Sequence, residues 1–495
     1  MELHIDRRRP VPLWRQIYEQ LRERILTGSL PPGTLLPPER HLAASLGVNR
    51  ATVVQAYREL AADGLVAARV GSGTRVLPQL PAGVPGRPAE GGEAEAPAAP
   101  FDWTALLALP SWPPEPPLLR EARAVRSGSR QAISLARGEL APELLPTRQL
   151  QQLLREAAEA DLPWGYGPVA GYGPLRQAIA QRMGRTAPDE VVITAGAQHG
   201  LALIVRALTE PGDAVVVENP SYYRSLTLFT GLGLRVLPVP VDREGIRTDA
   251  LAAVLDRHRP RLIFVTPNFQ NPTGASLSPL RRRQLLTLAR LHRVPVVEAD
   301  SYGELWFEVP QPPLRELDPT GPVIYVGSFS KTVAPGLRIG WVVAPPPVAE
   351  RLAAVQGQQE NGLPLVGQWV LAEFLRRGWL DEHLARLRQA LRERRDALVA
   401  ALARHLPESR WQVPGGGYHL WLEPEEGISA LAWFRAAARA GVLVMPGDLY
   451  GSPAGLRLSF SCAAVPELEE GVRRLARARE GLRREGHPGD VEPVI

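Results

Sequence analysis

The sequence is almost free of lysine. Of its 57 lysine and arginine residues, only Lys331 is a lysine, and the other 56 are arginines. Either residue can carry a surface charge, but a guanidinium is always protonated and cannot form a Schiff base as a primary amine does. Lys331 is therefore either a surface residue that persisted by chance or an amine kept for its chemistry. Its position in a Ser- and Gly-containing turn, after the apolar run Val323–Val326, favours the chemical role.

Cysteine and long apolar runs are scarce as well. The one cysteine, Cys462, excludes an internal disulfide and lies in an apolar run, which indicates a packing role. No apolar run approaches the length of a membrane span, and the first residues contain no apolar signal core. We therefore expect a cytoplasmic protein with no membrane and no metal partner.

The positive charge is concentrated near the N-terminus. Residues 1–77 contain 11 arginines and seven acidic residues, a net charge of +4 out of +5 for the whole chain. A small basic module attached to a balanced body is typical of nucleic-acid contact through that module.

The periodicity of residues 1–77 predicts three helices and a hairpin. Apolar residues recur every fourth position over residues 13–28, a second helix fits Pro38 to Leu46, and a third runs from Arg50 to Ala62. A hairpin fits residues 65–77. This order predicts a winged helix-turn-helix, the alternative being a small helical packing domain with surface arginines. The start of the third helix offers four side chains to a DNA groove, those of Asn49, Arg50, Thr52 and Gln55.

This module resembles the GntR-type regulator family. The matching stretches are Pro12-Leu13-Trp14, Pro37-Pro38-Glu39-Arg40, Leu46-Gly47-Val48-Asn49-Arg50-Ala51-Thr52-Val53 and Gly71-Ser72-Gly73-Thr74. The resemblance implies DNA contact by Arg40, Arg50, Thr52 and the wing at Gly73. Pro38 is a departure, because the family usually has Ser there.

The remainder divides into a linker, a large body and a tail. Residues 78–117 are rich in Pro, Ala, Gly and Glu and are predicted to be a linker, and residues 481–495 a C-terminal tail. Between them, helical segments alternate with short apolar runs, which predicts an α/β body with a mostly parallel sheet and a smaller α+β subdomain. The expected strands of the main sheet are Val191–Thr194, Ala214–Val217, Arg235–Val241, Leu262–Thr266, Val294–Val297, Val323–Val326 and Trp341–Val343, and those of the subdomain are Tyr418–Leu422 and Leu456–Phe460.

Polar residues follow these runs one after another. In open α/β sheets ligands bind beyond the carboxyl ends of the strands, so we expect these residues to share one rim. Each by itself is equally compatible with ordinary loop chemistry. The set comprises Gly196, Ala197, Gln198, Tyr222, Asn271, Asp300, Tyr302, Ser328, Ser330, Lys331 and Arg338.

The residue types on this rim suit pyridoxal 5′-phosphate (PLP). Lys331 is the expected Schiff-base and proton-shuttling residue, and Asp300 the acid that keeps the ring nitrogen protonated. Asn271 and Tyr302 suit the ring hydroxyl, and Tyr222 could stack on the ring. The expected phosphate site consists of Ser328, Ser330, Arg338 and the helix start at Gly196, Ala197 and Gln198.

Residues 118–480 resemble the fold-type I aminotransferase superfamily. The resemblance rests on the runs Tyr166-Gly167-Pro168-Val169-Ala170-Gly171-Tyr172, Asn271-Pro272-Thr273-Gly274, Asp300-Ser301-Tyr302-Gly303-Glu304 and Ser328-Phe329-Ser330-Lys331. It implies a homodimer with active sites at the interface, in which Tyr166 reaches the neighbour's cofactor. It also implies a carboxylate-binding role for Arg457.

A GntR-like head on an aminotransferase-like body resembles the MocR/GabR class of bacterial regulators. That resemblance implies a PLP-dependent regulator that binds operator DNA and senses PLP or its adduct with an amino acid or amine. The runs 300–305 and 414–422 look more like those of working aminoadipate or aromatic aminotransferases. The second hypothesis is therefore an active aminotransferase with an auxiliary DNA-binding domain. A DNA-binding dimer that has lost the cofactor is a third, disfavoured by the intact Lys331, Asp300 and Arg338.

Overall fold

The computed structural model forms two compact units, residues 1–109 and 110–495. Within them it describes residues 3–7, 11–27, 29–69, 73–77, 117–118, 120–121, 132–160, 162, 165–319 and 321–485. The expected linker, except for residue 117, and the wing residues 70–72 lie outside the described residues. The last helix continues to Glu485, five residues into the segment expected to be a tail, and the rest of that tail is also outside them.

The first unit is a winged helix-turn-helix, as predicted. Its elements are α1 Leu13–Leu26, α2 Glu39–Leu46, α3 Arg50–Ala62, β1 Val66–Arg69 and β2 Gly73–Val76, with the two strands paired antiparallel. Ile17 and Leu21 of α1 are buried against Val53 and Leu60 of α3, so the apolar stripes that predicted these helices form their core. Asn49 caps the start of α3, because its side chain accepts a hydrogen bond from the Ala51 amide.

The second unit is built on an eight-stranded, mostly parallel sheet. The strand order is β4-β11-β10-β9-β8-β5-β6-β7, and every adjacent pair from β10 to β6 is parallel. Each of the seven predicted runs overlaps a strand of this sheet, although β9 begins at Val296, two residues later than predicted, and β8 ends at Val265, one residue earlier. Its strands are β4 Val191–Thr194, β5 Ala214–Asn219, β6 Arg235–Asp242, β7 Gly245–Ile246, β8 Leu262–Val265, β9 Val296–Ala299, β10 Val323–Ser328 and β11 Gly340–Val343.

Helices cover both faces of this sheet. Successive strand residues point to opposite faces, so Val296 and Val297 of β9 pack in different apolar clusters. The helices of this unit are α4 Thr147–Glu159, α5 Gly173–Arg182, α6 Ala197–Leu208, α7 Tyr223–Gly231, α8 Thr248–His258, α9 Pro279–His292, α10 Leu314–Leu317, α11 Pro346–Gly357, α12 Leu365–Arg376, α13 Trp379–His405, α14 Ala430–Arg439 and α15 Val465–Glu485. None of the described helices is long and apolar enough to cross a membrane.

A smaller subdomain contains the late strands. A four-stranded sheet has the order β12-β13-β16-β15, and a two-stranded parallel sheet pairs β14 with β3. Its strands are β3 Ile133–Ser134, β12 Arg410–Trp411, β13 His419–Glu423, β14 Val442–Leu443, β15 Met445–Pro446 and β16 Leu456–Ser459. The pairing of β3 with β14 brings residues 134–139 beside the main sheet's carboxyl-end rim, where they help to form the cavity described next.

Candidate functional site

A cavity of about 620 Å³ lies at the carboxyl ends of the parallel strands. It is bounded by the loops after β8, β9 and β10, by the starts of α6 and α7, by residues 134–139 and by β16. Ten of the residues singled out from the sequence line it: Ala197, Gln198, Tyr222, Asn271, Tyr302, Ser328, Ser330, Lys331, Arg338 and Arg457.

The amine of Lys331 lies inside this cavity. It donates a hydrogen bond to the Gly138 carbonyl oxygen over 2.6 Å, and the Tyr418 hydroxyl donates to the carbonyl of Lys331 itself. Burial, and after it the positive charge of Arg457, lower the pKa of Lys331 to about 8. A larger share of the amine is therefore neutral near pH 7 than in an exposed lysine, and the neutral form is the nucleophile.

An anion site lies beside Lys331, at the start of α6. Arg338 donates to the Ala195 carbonyl over 3.1 Å, and the Ser330 amide donates to the Ser328 hydroxyl over 3.2 Å. Gly196, the residue before α6, has φ +98°, and a Cβ there would be 2.8 Å from Arg338 Nη2. The glycine thus allows the guanidinium to approach the free amides of the helix start. Such a group of donors suits a phosphate dianion.

A second cationic group, Arg457, lies on the subdomain side of the cavity. Its Nη1 donates to Asn271 Oδ1 over 3.2 Å, its Nη2 donates to the Ala136 carbonyl, and its guanidinium carbon lies 5.3 Å from the centre of the Tyr450 ring. Arg457 is buried, its Nε has no hydrogen-bond partner, and among the described residues it forms no ion pair with a carboxylate. A buried guanidinium with donors to spare suits a ligand carboxylate.

Two aromatic residues complete the walls of the cavity. The Tyr302 hydroxyl lies 3.1 Å from His419 Nε2, and burial raises the pKa of this phenol, so Tyr302 stays protonated. Tyr222 lies edge-on to Tyr223, with 5.3 Å between ring centres. A protonated hydroxyl and an aromatic ring are suited to a flat ligand that carries an oxygen substituent.

Asp300 does not lie in this cavity. It accepts hydrogen bonds from Asn268 Nδ2 over 3.2 Å and from the Tyr325 hydroxyl over 3.3 Å, and it lines a separate cavity of about 670 Å³. Burial raises the pKa of the Asp300 carboxyl above its ordinary value. Its neighbour Ala299 lines the cavity that contains Lys331. Asp300 thus lines a different cavity from Lys331, and its expected role toward the ring nitrogen stays a prediction.

Tyr166 is also outside the cavity. Its side chain is 86% exposed and is not among the lining residues. The expectation that it reaches the cofactor of a neighbouring subunit stays a prediction.

Sequence reasoning missed several residues of the site. Gly138 contacts Lys331 through a backbone carbonyl, which every residue type has, and it is 193 positions away along the chain. Glu139 and Arg224 line the cavity without belonging to any of the motifs considered. His419 belonged to the run 414–422 but was not itself predicted to be a site residue. The feature that could have indicated such a role is the position of a histidine within an apolar strand.

The expected DNA-contacting residues lie around the start of α3 and on the wing. Arg40, Asn49, Arg50 and Gly73 are exposed, while Thr52 and Gln55 are half-buried. The set is not free of internal contacts: Arg50 forms an ion pair with Glu39 over 2.9 Å, and Gln55 donates to Glu59 over 2.5 Å. The Arg50 contact is exposed and the Gln55 contact is partly buried, and the DNA-contacting role of both residues stays a prediction.

Comparison with known proteins matches both units. Residues 13–76 match the model of bacterial regulatory proteins of the gntR family, and residues 131–475 match that of aminotransferase class I and II. The HTH-type transcriptional regulator YisV of Bacillus subtilis, itself uncharacterized, is 34% identical over 487 residues, which cover 96% of this chain and 98% of the relative. The chain belongs to the family of GntR–aminotransferase fusion regulators.

Relatives of the fusion regulator's body include working enzymes. The 2-aminoadipate transaminase of Thermus thermophilus is 39% identical over 364 residues, which cover 71% of this chain and 90% of that enzyme. The crystal structure of LysN, the α-aminoadipate aminotransferase of T. thermophilus, matches with a TM-score of 0.69 and 36% identity, over 74% of this chain and 95% of LysN. That structure contains N-(5′-phosphopyridoxyl)-L-leucine, so its fold holds a covalent adduct of the cofactor with an amino acid.

Proposed function

We propose that this fusion regulator binds operator DNA through its winged helix-turn-helix and holds PLP on Lys331. In this proposal the aminotransferase-like body senses an amino acid or amine, and the bound state changes the affinity for DNA. The observation that carries the proposal is the position of the chain's single lysine, whose amine lies in the cavity beside a phosphate-type anion site.

The described residues fit the binding requirements of PLP at four points. Lys331 offers an amine of lowered pKa to the aldehyde, and Arg338 with the start of α6 offers the anion site. Tyr302 and Asn271 offer hydrogen-bonding groups to the ring hydroxyl, and the Tyr222 ring offers a stacking surface. When bound, the cofactor supplies an electrophilic carbon and an electron-withdrawing ring.

The ligand class follows from Arg457. A buried guanidinium that has no acidic partner in the described part of the chain lies in the same cavity as Lys331, which supports a ligand that carries both an amine and a carboxylate. An α-amino acid meets both conditions. An amine without a carboxylate would leave Arg457 unused.

A dimer is part of the proposal. The exposed Tyr166 ring supports a contact with a second subunit, because a tyrosine that is 86% exposed leaves most of its apolar surface in water. Two subunits would present two DNA-binding heads, and tethering would raise the effective concentration of the second head at its half-site. The Pro-, Ala- and Gly-rich composition of residues 78–117 supports binding to direct repeats as well as to palindromes.

The second candidate function is full transamination. It is supported by the 39% identity to a 2-aminoadipate transaminase over most of that enzyme. Mixing purified protein with an amino donor and a 2-oxo acid separates the candidates, because an aminotransferase converts many equivalents, whereas a sensor converts one or none.

Operator affinity is expected to depend on the state of the cavity. A ligand that engages Lys331, Arg457 and the subdomain biases the geometry of the body and therefore the placement of the heads. The measurement is a titration of operator DNA with cofactor-free, PLP-bound and amino-acid-treated protein at one salt concentration, since phosphate contacts make affinity salt-dependent. Equal affinities in the three states would contradict the sensor and favour the aminotransferase.

Replacing Arg50 with alanine is expected to weaken operator binding by about 1–3 kcal/mol. If Arg50 reads a base, the loss comes with relaxed sequence preference at one position; if it holds a phosphate, all sequences weaken alike. Arg15→Ala is the matched control, because Arg15 forms a comparable exposed ion pair with Glu19 on α1. Binding curves on operator and scrambled DNA decide, and an Arg50→Ala protein that behaves like the Arg15→Ala control would remove Arg50 from the DNA contact.

A further inference from the structure

The cavity that contains Lys331 has an apolar region around the end of β9. Four apolar side chains from different elements line this region: Leu201, Phe264, Ala299 and Val326. Ala299 packs with the apolar cluster on the same sheet face as Val297, two residues earlier in β9, as the period of two along a strand requires. The end of β9 therefore presents a methyl group to the cavity.

Among the described residues that line this cavity, Glu139 is the one with a carboxylate. Glu139 follows Gly138, whose carbonyl accepts the hydrogen bond of the Lys331 amine, and it forms an ion pair with Arg137 over 2.7 Å. It is thus located on the Lys331 side of the cavity and already has a partner. The apolar region has no acid of its own.

Asp300 does not supply an acid to this apolar region. It is the residue after Ala299, so its side chain leaves the chain on the other face of the sheet, where Asn268 and Tyr325 donate hydrogen bonds to its two oxygens. To enter the cavity that contains Lys331, the Asp300 side chain would have to break both hydrogen bonds and leave the second cavity, which Glu304 also lines. Asp300 is therefore held away from any ligand of Lys331.

The position of the nearest acids determines whether the ring nitrogen of bound PLP is protonated. The ring nitrogen is para to the aldehyde carbon, so a ring attached at Lys331 points its nitrogen away from the amine and away from Glu139. A pyridinium in apolar surroundings is unfavourable unless a carboxylate pairs with it. Without a protonated nitrogen the ring withdraws electrons poorly, and proton abstraction from a bound amino acid becomes slow.

We infer that Ala299 occupies the position from which an acid would pair with the cofactor's ring nitrogen, so that this regulator binds PLP with an unprotonated ring and retains amino-acid ligands instead of turning them over. This inference rests on the proposed function, because it presupposes that PLP binds at Lys331. It makes Ala299 a residue that separates sensing from transamination.

The test compares PLP with its 1-deaza analogue, in which a C–H group replaces the ring nitrogen. The wild-type protein is expected to bind both rings within about twofold of each other, since no carboxylate lines the apolar region around the end of β9 among the described residues. Ala299→Asp is expected to prefer PLP by about tenfold or more, because it provides one charge-assisted hydrogen bond. Ala299→Asn, of equal size but neutral, is the matched control and should lack most of that preference.

A ¹⁵N resonance of labelled PLP gives a second readout that needs no turnover. The wild-type complex should show the shift of a neutral pyridine, and Ala299→Asp that of a pyridinium. A wild-type protein that prefers PLP tenfold or shows a pyridinium would overturn the inference, even if Ala299→Asp fails to fold. If that preference then disappears in Asp300→Asn, Asp300 is the acid. Failure of both rings to bind the wild type would instead overturn the proposed function.

Discussion

Lys331→Ala is expected to abolish the visible absorbance of protein reconstituted with PLP. The chain has no second lysine, so no neighbouring side-chain amine can substitute. Lys331→Arg should lose the absorbance as completely, because a guanidinium retains the positive charge but does not form a Schiff base. The absorbance spectra of the three proteins after removal of free cofactor provide the measurement.

The shortage of lysine also makes the attachment site unusually easy to verify. Borohydride reduction fixes the cofactor to the amine that holds it, and the modified peptide should be the one that contains Lys331. The α-amino group is the internal control for nonspecific reaction. A yellow Lys331→Ala protein, or a wild-type protein labelled mainly elsewhere, would remove Lys331 from its proposed role.

The pH dependence of cofactor capture follows from the pKa of Lys331. With a pKa of about 8, about one tenth of the amine is neutral at pH 7, roughly 300 times more than for a lysine with a pKa near 10.5. Because the neutral amine attacks the aldehyde, the rate of capture should rise with pH and level off above about 8. A rate that keeps rising to pH 10 would indicate an ordinary, solvated lysine.

Much of this site was predictable from the sequence because the relevant positions follow strands. Once the runs were recognised as parallel strands, their carboxyl ends had to meet at one rim, and the loops after β8, β9 and β10 do meet there. Lys331 and Arg338 carried strong signals of their own, the first by its rarity and the second by its spacing from the lysine.

Asp300 shows where such reasoning stops. A position just after a strand fixes which end of the sheet a residue occupies, but not which face its side chain takes. Ala299 and Asp300 differ by one residue and line different cavities. Alanine attracts no attention in a search for reactive side chains, so its presence in the cavity is visible only in three dimensions. The Gly138 carbonyl escaped notice for the same reason.

Arg457→Ala is expected to weaken the binding of an α-amino acid by about 1.5–3 kcal/mol, or about 10–150-fold, while PLP affinity changes much less. Arg457 contacts Asn271 and Ala136, whereas the anion site proposed for the phosphate is formed by Arg338 and the start of α6. The two affinities, measured by titration of cofactor-free and PLP-loaded protein, should therefore separate. An equal loss of both ligands, or of neither, would take Arg457 out of ligand binding.

Arg457→Lys distinguishes the shape of the guanidinium from its charge. Lysine retains a positive charge but lacks the planar fork that binds both oxygens of a carboxylate, so amino-acid affinity should fall in this variant too. The pH profile should respond differently. The positive charge of Arg457 helps to lower the pKa of Lys331, so Arg457→Ala should move the midpoint of cofactor capture above pH 8, while Arg457→Lys should leave it near 8. A loss of amino-acid affinity without this difference between the two variants would indicate that Arg457 acts by packing, because a packing role depends on neither charge nor geometry of donors.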